Sequence, residues 1–160
     1  MDTDRMSEIG ITYRGVVHQW QCDHMGHMNV MWYVGKFDEA TWNLGAMMGM
    51  TAQYMRDRKR GMAAVDQRIA YKREALPGDV LIVRSAVLAI TPRSIRFVHE
   101  MFRADTNEHL ATTLLVGVHI DTEARKSTAF EPDILSKSQP FIAADPARWD
   151  AWPPEHACLA

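Results

Sequence analysis

The residues best suited to chemistry in this sequence lie together between Trp20 and Asn29. Asp23 supplies a carboxylate, and His24 and His27 supply imidazoles a few residues further on. An ionised carboxylate can remove a proton from water or attack an electrophilic carbon itself. The cluster therefore suits a reaction at a carbonyl group, and Asp23 is the principal catalytic candidate.

A long amphipathic helix follows this cluster and positions it. Apolar residues recur with the three- and four-residue spacing of a helix that buries one face. These positions are Val30, Tyr33, Val34, Phe37, Ala40, Leu44, Met47 and Met48. Asn29 is a predicted N-cap and Gly49 a predicted C-terminal stop, which gives a helix of about 18–20 residues. Its free N–H groups and partial positive charge would stabilise an oxyanion formed beside Asp23.

Apolar runs before and after this helix predict a sheet. The predicted strands are 11–21, 62–71, 80–90, 94–104 and 110–121. Residues 51–61 are polar and basic and predict a connector or a second short helix, and a further short helix is expected near 133–138. Short turns between the last three strands predict an antiparallel meander. The chain is therefore expected to form an α+β fold, in which an antiparallel five-stranded sheet wraps around a long central helix.

Composition limits the possible functions. The 160 residues suit one domain, with a disordered N-terminus at 1–10, a folded domain at 11–139 and an irregular tail at 140–160. A net charge of −2 provides no basic field for nucleic acid, and no apolar run is long enough to span a membrane. Cys22 and Cys158 are too few and too far apart for a disulfide framework, so a cytoplasmic location is expected.

Several motifs in this order resemble those of a known family. They are D-x-x-G-H-M-N at 23–29, Tyr33, FDEA at 37–40, Tyr71, the turn at 77–79, SIRFVHE at 94–100, Asp121 and the RK pair at 125–126. Together they resemble the hotdog-fold acyl-CoA thioesterases of the 4-hydroxybenzoyl-CoA thioesterase-like group, over roughly residues 11–132. The resemblance implies a hotdog fold and hydrolysis of an acyl-CoA. Coenzyme A is part of the substrate, and no separate cofactor is expected. It also implies a homodimer or homotetramer with the active site between subunits.

The resemblance also assigns roles within the motif. An aspartate at the position of Asp23 attacks the thioester or activates water, and amides at the helix start, here within 29–32, bind the oxyanion. Plant acyl-carrier-protein thioesterases carry D-x-N-x-H-V-N-N, which makes His27 a second catalytic candidate that orients Asp23 or water. A structural role for His27 is equally open, because Met25 and Val30 replace two asparagines of that motif.

Other residues are predicted to contact the substrate. Gly26 allows a turn and a close approach of a ligand to the protein backbone. The helix start and the resemblance contribute the remaining candidates: Trp20, Asn29, Val30, Met31, Trp32, Tyr33, Asp66, Gln67, Ser94 and Arg96. The stretch at 23–42 is also similar to the short-chain thioesterases of carnitine breakdown, which act on betainyl-CoA. Tryptophans can hold a quaternary ammonium by cation–π attraction, so a betainyl group is a candidate acyl group.

Three alternatives differ from a thioesterase. Hotdog enoyl-CoA hydratases use an Asp/His pair, which Asp23 and His27 could supply. A non-catalytic acyl-CoA-binding module is a second alternative, although the chain has no basic stripe for an attached DNA-binding function. The third is a metal site at His18, His24 and His27, but no second set of ligands accompanies them, so no metal is predicted.

Overall fold

The computed structural model describes residues 10–152 and consists of one sheet curled around one long helix. The long strands are β1 (Ile11–Val16), β2 (Arg60–Tyr71), β3 (Val80–Ile90), β4 (Ser94–Arg103) and β5 (His109–Asp121), and β6 (Lys126–Ser127) is short. The helices are α1 (Val30–Met47), α2 (Ala52–Arg58) and α3 (Pro132–Ser138). The predicted α+β arrangement of a sheet wrapped around a helix is confirmed.

The strand order is β1-β3-β4-β5-β2, and all neighbouring strands are antiparallel. The meander β3-β4-β5 was predicted from the short turns and is confirmed. The two-residue β6 pairs with β5 and was not predicted, because it is too short to show alternation. β1 and β2 form the two edges of the sheet.

α1 agrees with its prediction at both ends. It has 18 residues, and the side chain of Asn29 accepts a hydrogen bond from the Met31 N–H, as expected for an N-cap. Gly49 follows the last turn with a φ of 92°, a conformation that disfavours residues with a Cβ atom. Local signals thus determine where this helix begins and ends.

The first strand is shorter than predicted. It ends at Val16, and residues 19–21, expected to continue the strand, form a 3-10 turn. The Gln21 side chain accepts a hydrogen bond from the His18 N–H at 2.9 Å, which closes this turn. Val16 pairs with Val80, the first residue of β3, so β1 ends where its partner begins and the chain leaves the sheet before it reaches Asp23.

The core lies between α1 and the concave face of the sheet. The first half of α1 packs Tyr33 and Phe37 with residues of β3 and β4 such as Leu81 and Met101. Its second half packs Leu44 into a separate cluster that also includes residues of β3, β4, β5 and α3. The start of α1, and with it Asp23, therefore lies at the end of the sheet where β3 begins and β4 ends.

A buried chain of polar groups crosses this core. Thr12 contacts Ser85, Ser85 contacts His99, and the other ring nitrogen of His99 contacts the Thr41 hydroxyl at 2.9 Å. Burial lowers the pKa of His99 to about 3, so its ring is neutral at physiological pH. The chain links β1, β3 and β4 to the middle of α1.

The segment after α3 covers the outer face of the sheet. Trp149 is buried there, and its indole N–H donates to the Glu100 carboxylate at 3.2 Å. The tail predicted at 140–160 thus packs on the sheet over its described part. Apart from Gly10, the N-terminal segment predicted to be disordered lies outside the described residues. Across 10–152, the structure contains no helix with the length and apolar character needed to cross a membrane.

Candidate active site

The candidate catalytic residues lie on a tight turn between the 3-10 turn and α1. The Asp23 N–H donates to the His27 carbonyl at 3.1 Å, and the Gly26 N–H donates to the Asp23 carbonyl at 3.0 Å. Gly26 has a φ of 85°, and a Cβ there would meet nothing within 4 Å. The backbone conformation, and not a lack of space, therefore favours glycine at this position.

The Asp23 carboxylate is held from both sides. Its Oδ2 accepts from the Asn29 amide at 2.9 Å, and its Oδ1 accepts from the Met25 N–H at 2.9 Å. Both hydrogen bonds stabilise the ionised form of Asp23 and so lower its pKa. The bond from Asn29 has the larger effect, and the bond from the Met25 N–H has the smaller one. Asp23 is therefore a charged carboxylate at neutral pH, as a general base or a nucleophile requires.

Asn29 connects this carboxylate to the helix. Its Oδ1 accepts from the Met31 N–H at 3.0 Å while its Nδ2 donates to Asp23. One side chain thus caps α1 and orients the catalytic candidate. Hydrogen bonds of Asn29 consequently link the carboxylate directly to the helix start.

Only one of the four predicted oxyanion donors is free among the described residues. The Asn29 N–H donates to the Gln21 carbonyl, and the Met31 and Trp32 N–H groups donate to oxygens of Asn29. The Val30 N–H makes no hydrogen bond to any residue within 10–152. It opens the first turn of α1, where the helix dipole favours negative charge.

His27 faces a residue that the sequence analysis missed. Its Nε2 lies 3.5 Å from the carboxylate of Glu74, in the segment between β2 and β3. The Arg103 guanidinium donates to the Glu74 carbonyl at 3.0 Å and holds this segment in place. No motif links Glu74 to His27 in the sequence, because only the fold brings the two together.

Tyr33 anchors the same segment. Its hydroxyl accepts from the Ala75 N–H at 3.1 Å and donates to the Arg73 carbonyl at 3.4 Å. Burial raises the pKa of Tyr33 to about 12, so the hydroxyl stays protonated. The ring is in the core, 3% exposed, which makes Tyr33 a support for the site.

Aromatic side chains form a wall beside the turn. The rings of Trp20 and Trp32 meet edge to face with centroids 4.8 Å apart, and His18 stacks on Trp20 at 5.5 Å. Trp20 is 65% exposed, and the neighbouring Val30 and Met31 are also exposed. The turn therefore faces an open apolar surface.

Within one chain, the four remaining candidates lie away from the turn that carries Asp23. Asp66 pairs with Arg68 at 3.3 Å in the exposed middle of β2, where Gln67 is also exposed. Ser94 contacts Thr91 in a turn, and Arg96 donates to Asp150 at 3.0 Å on the outer face of the sheet. No hydrogen bond or ion pair joins these residues to the Asp23 turn over residues 10–152. The described residues also include no group of three or more His, Cys, Asp or Glu able to hold a metal ion.

The chain is similar to curated proteins of known activity. The betainyl-CoA thioesterase of Pseudomonas aeruginosa is 22% identical over 139 residues, which are 87% of each chain. A Rhizobium protein, L-carnitine dehydrogenase/betainyl-CoA thioesterase, is 25% identical over 76% of this chain. The match covers 24% of that protein, so the chain spans about a quarter of the length of this bifunctional relative.

Solved structures share the fold. YbaW, a probable thioesterase from Escherichia coli, has a TM-score of 0.70 at 22% identity, over 82% of this chain and 98% of the other. A Staphylococcus aureus protein solved in complex with CoA has a TM-score of 0.77 at 16% identity, over 81% of each chain. The profile of the Thioesterase-like superfamily matches residues 16–138. The chain therefore belongs to the Thioesterase-like superfamily and has its hotdog fold.

Proposed function

We propose that the protein is an acyl-CoA thioesterase, which hydrolyses an acyl-CoA to the free acid and coenzyme A. One observation carries the proposal. Asn29 caps α1 and holds the Asp23 carboxylate at the same time. This places an ionised carboxylate and the Val30 N–H, which has no hydrogen-bond partner within 10–152, at one helix start. Hydrolysis of a thioester needs these two elements, a base or nucleophile and an oxyanion donor.

Two routes use the same residues. In the first, Asp23 takes a proton from water and the hydroxide oxygen attacks the carbonyl carbon. In the second, a carboxylate oxygen of Asp23 attacks that carbon, departure of coenzyme A leaves a mixed anhydride with Asp23, and water then hydrolyses this anhydride. In both, the Val30 N–H stabilises the oxyanion of the tetrahedral intermediate. The C–S bond then breaks, and coenzyme A leaves as a thiolate that takes up a proton.

His27 supports this chemistry as a positioning residue. Its imidazole lies against Glu74, while both oxygens of Asp23 are held by Asn29 and Met25. The turn that carries Asp23 is thereby tied to the β2–β3 segment. A hydratase that needs a direct Asp/His pair is less well served by this arrangement.

The active form is a homodimer built through β2. This edge strand has an exposed stretch over residues 64–68, and Val65 is 61% exposed. α1 also exposes apolar side chains, including Met31 and Val34. Unpaired strand edges and apolar patches favour a covering partner, and a second copy pairing along β2 covers both. Asp66 and Gln67 then lie at the interface between the two copies.

A cytoplasmic location remains a prediction from the sequence.

The candidate substrate is betainyl-CoA, in which the acyl group carries a quaternary ammonium. Support comes from the two relatives named above and from the exposed tryptophan side chains of Trp20 and Trp42. Cation–π attraction to tryptophan is worth about 0.5–2 kcal/mol, depending on exposure. Acetyl-CoA and butyryl-CoA test for a preference for short neutral acyl groups, and benzoyl-CoA tests for a preference for aryl acyl groups.

Thiol release from this panel of thioesters tests the proposal. A thioesterase releases coenzyme A from at least one member, and Asp23→Asn removes most of that rate while the circular dichroism spectrum is kept. Asp57→Asn, an exposed carboxylate on α2, is the control for charge removal. Hydration of crotonyl-CoA without thiol release would indicate a hydratase instead, and tight binding without turnover would indicate a binding module.

A further inference from the structure

A cavity of about 110 Å³ lies between the second half of α1 and strands β2, β4 and β5. Its walls are mainly apolar and include three methionines. Among the lining residues are Leu44, Met48, Met50, Met62, Phe97 and Leu115. Flexible, polarisable methionines adapt to small apolar groups, so the cavity suits part of a small molecule.

Two exposed residues on α1 give this cavity a charge preference. Asp38 and Trp42 both line it, and a spacing of four residues places them side by side on the helix. The Asp38 carboxylate makes no hydrogen bond or ion pair with any residue in the described part of the chain. Thr41 is the other polar side chain in the lining. Its hydroxyl already hydrogen-bonds to the Phe37 carbonyl and to His99. Within residues 10–152, the cavity thus presents one negative charge without an ionic partner, beside one indole.

We infer that this cavity binds the acyl group and that Asp38 and Trp42 recognise a quaternary ammonium on it. The inference rests on the proposed function and deepens it by assigning the charged end of the substrate. A carboxylate attracts the positive charge, and the indole face attracts the methyl groups around it. A neutral acyl group gains neither interaction.

The aromatic wall beside Asp23 is a poorer ammonium site. His18 stacks on one face of Trp20, and Trp32 packs against it edge to face. The carboxylate nearest to Trp20 in the sequence is that of Asp23. It must remain available for the reaction and so cannot also bind the ammonium group. Trp42 has no aromatic partner within 10–152 and is 51% exposed. Its indole is therefore free to contact a ligand.

Asp38 and Asp23 of one chain cannot serve the same substrate. Asp38 is eight residues beyond Val30 on α1, which is about 12 Å along the helix axis. In a betainyl group, one methylene separates the nitrogen from the reacting carbonyl carbon. The ammonium must therefore lie within a few ångströms of the bond that breaks. The cavity consequently completes the active site of a second copy.

Antiparallel pairing of two β2 strands brings these parts together. In a two-fold arrangement, the Tyr71 end of one strand lies beside the Met62 end of the other. The Tyr71 ring contacts Tyr33 near the start of α1, with centroids 5.1 Å apart, and Met62 lines the cavity. The helix start of one copy therefore adjoins the cavity of the other.

Charge-specific kinetics test the assignment. Betainyl-CoA and its neutral isostere 3,3-dimethylbutyryl-CoA differ in one atom. The atom that carries the three methyl groups is a positively charged nitrogen in the first and an uncharged carbon in the second. Asp38→Asn should lower kcat/KM for betainyl-CoA by about tenfold or more and change kcat/KM for the isostere less than twofold. Glu39→Gln removes a charge from the adjacent position, which does not line the cavity, and should leave both values unchanged. Trp42→Leu should reproduce the selective loss.

The possible failures are distinct. Equal losses on both thioesters, or no loss with Asp38→Asn while Asp23→Asn is inactive, would overturn the ammonium assignment and leave the thioesterase standing. Failure of the wild type to cleave any thioester would overturn both.

Mixed dimers test the arrangement between copies. In a dimer of one Asp23→Asn chain and one Asp38→Asn chain, the intact Asp23 faces the intact cavity at one of the two sites. Differently tagged chains, co-expressed and purified through both tags, should recover about half of the wild-type rate on betainyl-CoA. If each site lies within one chain, both sites are damaged. The mixed dimer would then be no faster than the mean of its two parents, which would contradict the inference.

Discussion

Asn29 joins two functions that mutation can separate. It caps α1 through Oδ1 and holds the Asp23 carboxylate through Nδ2. Asn29→Ala removes both interactions. Asn29→Ser keeps a hydroxyl that caps as well as an amide does, but serine is too short to replace the hydrogen bond to Asp23.

The two effects have different magnitudes and readouts. Loss of an N-cap costs about 1 kcal/mol of unfolding free energy, which lowers Tm by about 2–4 °C in a protein of this size. The Asn29 amide is the largest cause of the lowered pKa of Asp23, so its loss raises that pKa. The active form is the ionised carboxylate, so the acid limb of the kcat/KM profile should move to higher pH in both variants.

Thermal unfolding and a pH profile of thiol release measure these effects on the same samples. Asn29→Ala should show the lower Tm and the shifted acid limb, and Asn29→Ser only the shifted limb. Thr51→Ala is the matched control, because Thr51 caps α2 by accepting from the Tyr54 N–H at 3.1 Å, away from the site. It should lower Tm and leave the pH profile unchanged. An unmoved acid limb in both Asn29 variants would refute the assigned role of the amide.

Two further predictions concern stability. The folded pKa of His99 is about 3 and its unfolded value about 6.5, so the unfolded chain binds a proton that the folded chain does not. The contribution of the neutral His99 to the free energy of unfolding is complete above pH 6.5. It is lost as pH falls towards 3, by up to about 1.4 kcal/mol per pH unit. Urea unfolding at several pH values should show this slope, and His99→Gln should reduce it; an unchanged slope would contradict the assignment. Tyr33→Phe removes the acceptor of the Ala75 N–H and should cost about 1–3 kcal/mol by urea unfolding. A loss below 0.5 kcal/mol would show that Tyr33 does not anchor the segment.

Local patterns allowed much of the fold to be predicted. The start of α1 at Val30 follows from the Asn29 cap and the apolar spacing, and its end from Gly49. These signals lie within a few residues of the structure they determine. The first strand was predicted too long, because its partner β3 begins only at Val80, opposite Val16, and that long-range pairing is not visible in the local pattern.

The details of the site depend on contacts that alternation and motifs do not encode. Glu74 meets His27 only because Arg103 and Tyr33 hold the β2–β3 segment against the helix. Of the four predicted oxyanion donors, only Val30 has an N–H without a hydrogen bond within 10–152, and this emerges only when every local hydrogen bond is assigned. Ser94 and Arg96, inferred from the family resemblance, lie far along the sheet from Asp23 in one chain. Their contribution to a site remains a prediction.

The central claim is that the Asp23 carboxylate performs the hydrolysis. The most direct measurement is the rate of thiol release from betainyl-CoA by the wild type, Asp23→Asn and the Asp57→Asn control. Loss of a general base or nucleophile is expected to lower kcat at least about 100-fold in Asp23→Asn and leave the control at the wild-type rate. A folded Asp23→Asn variant with the full wild-type rate would contradict the account.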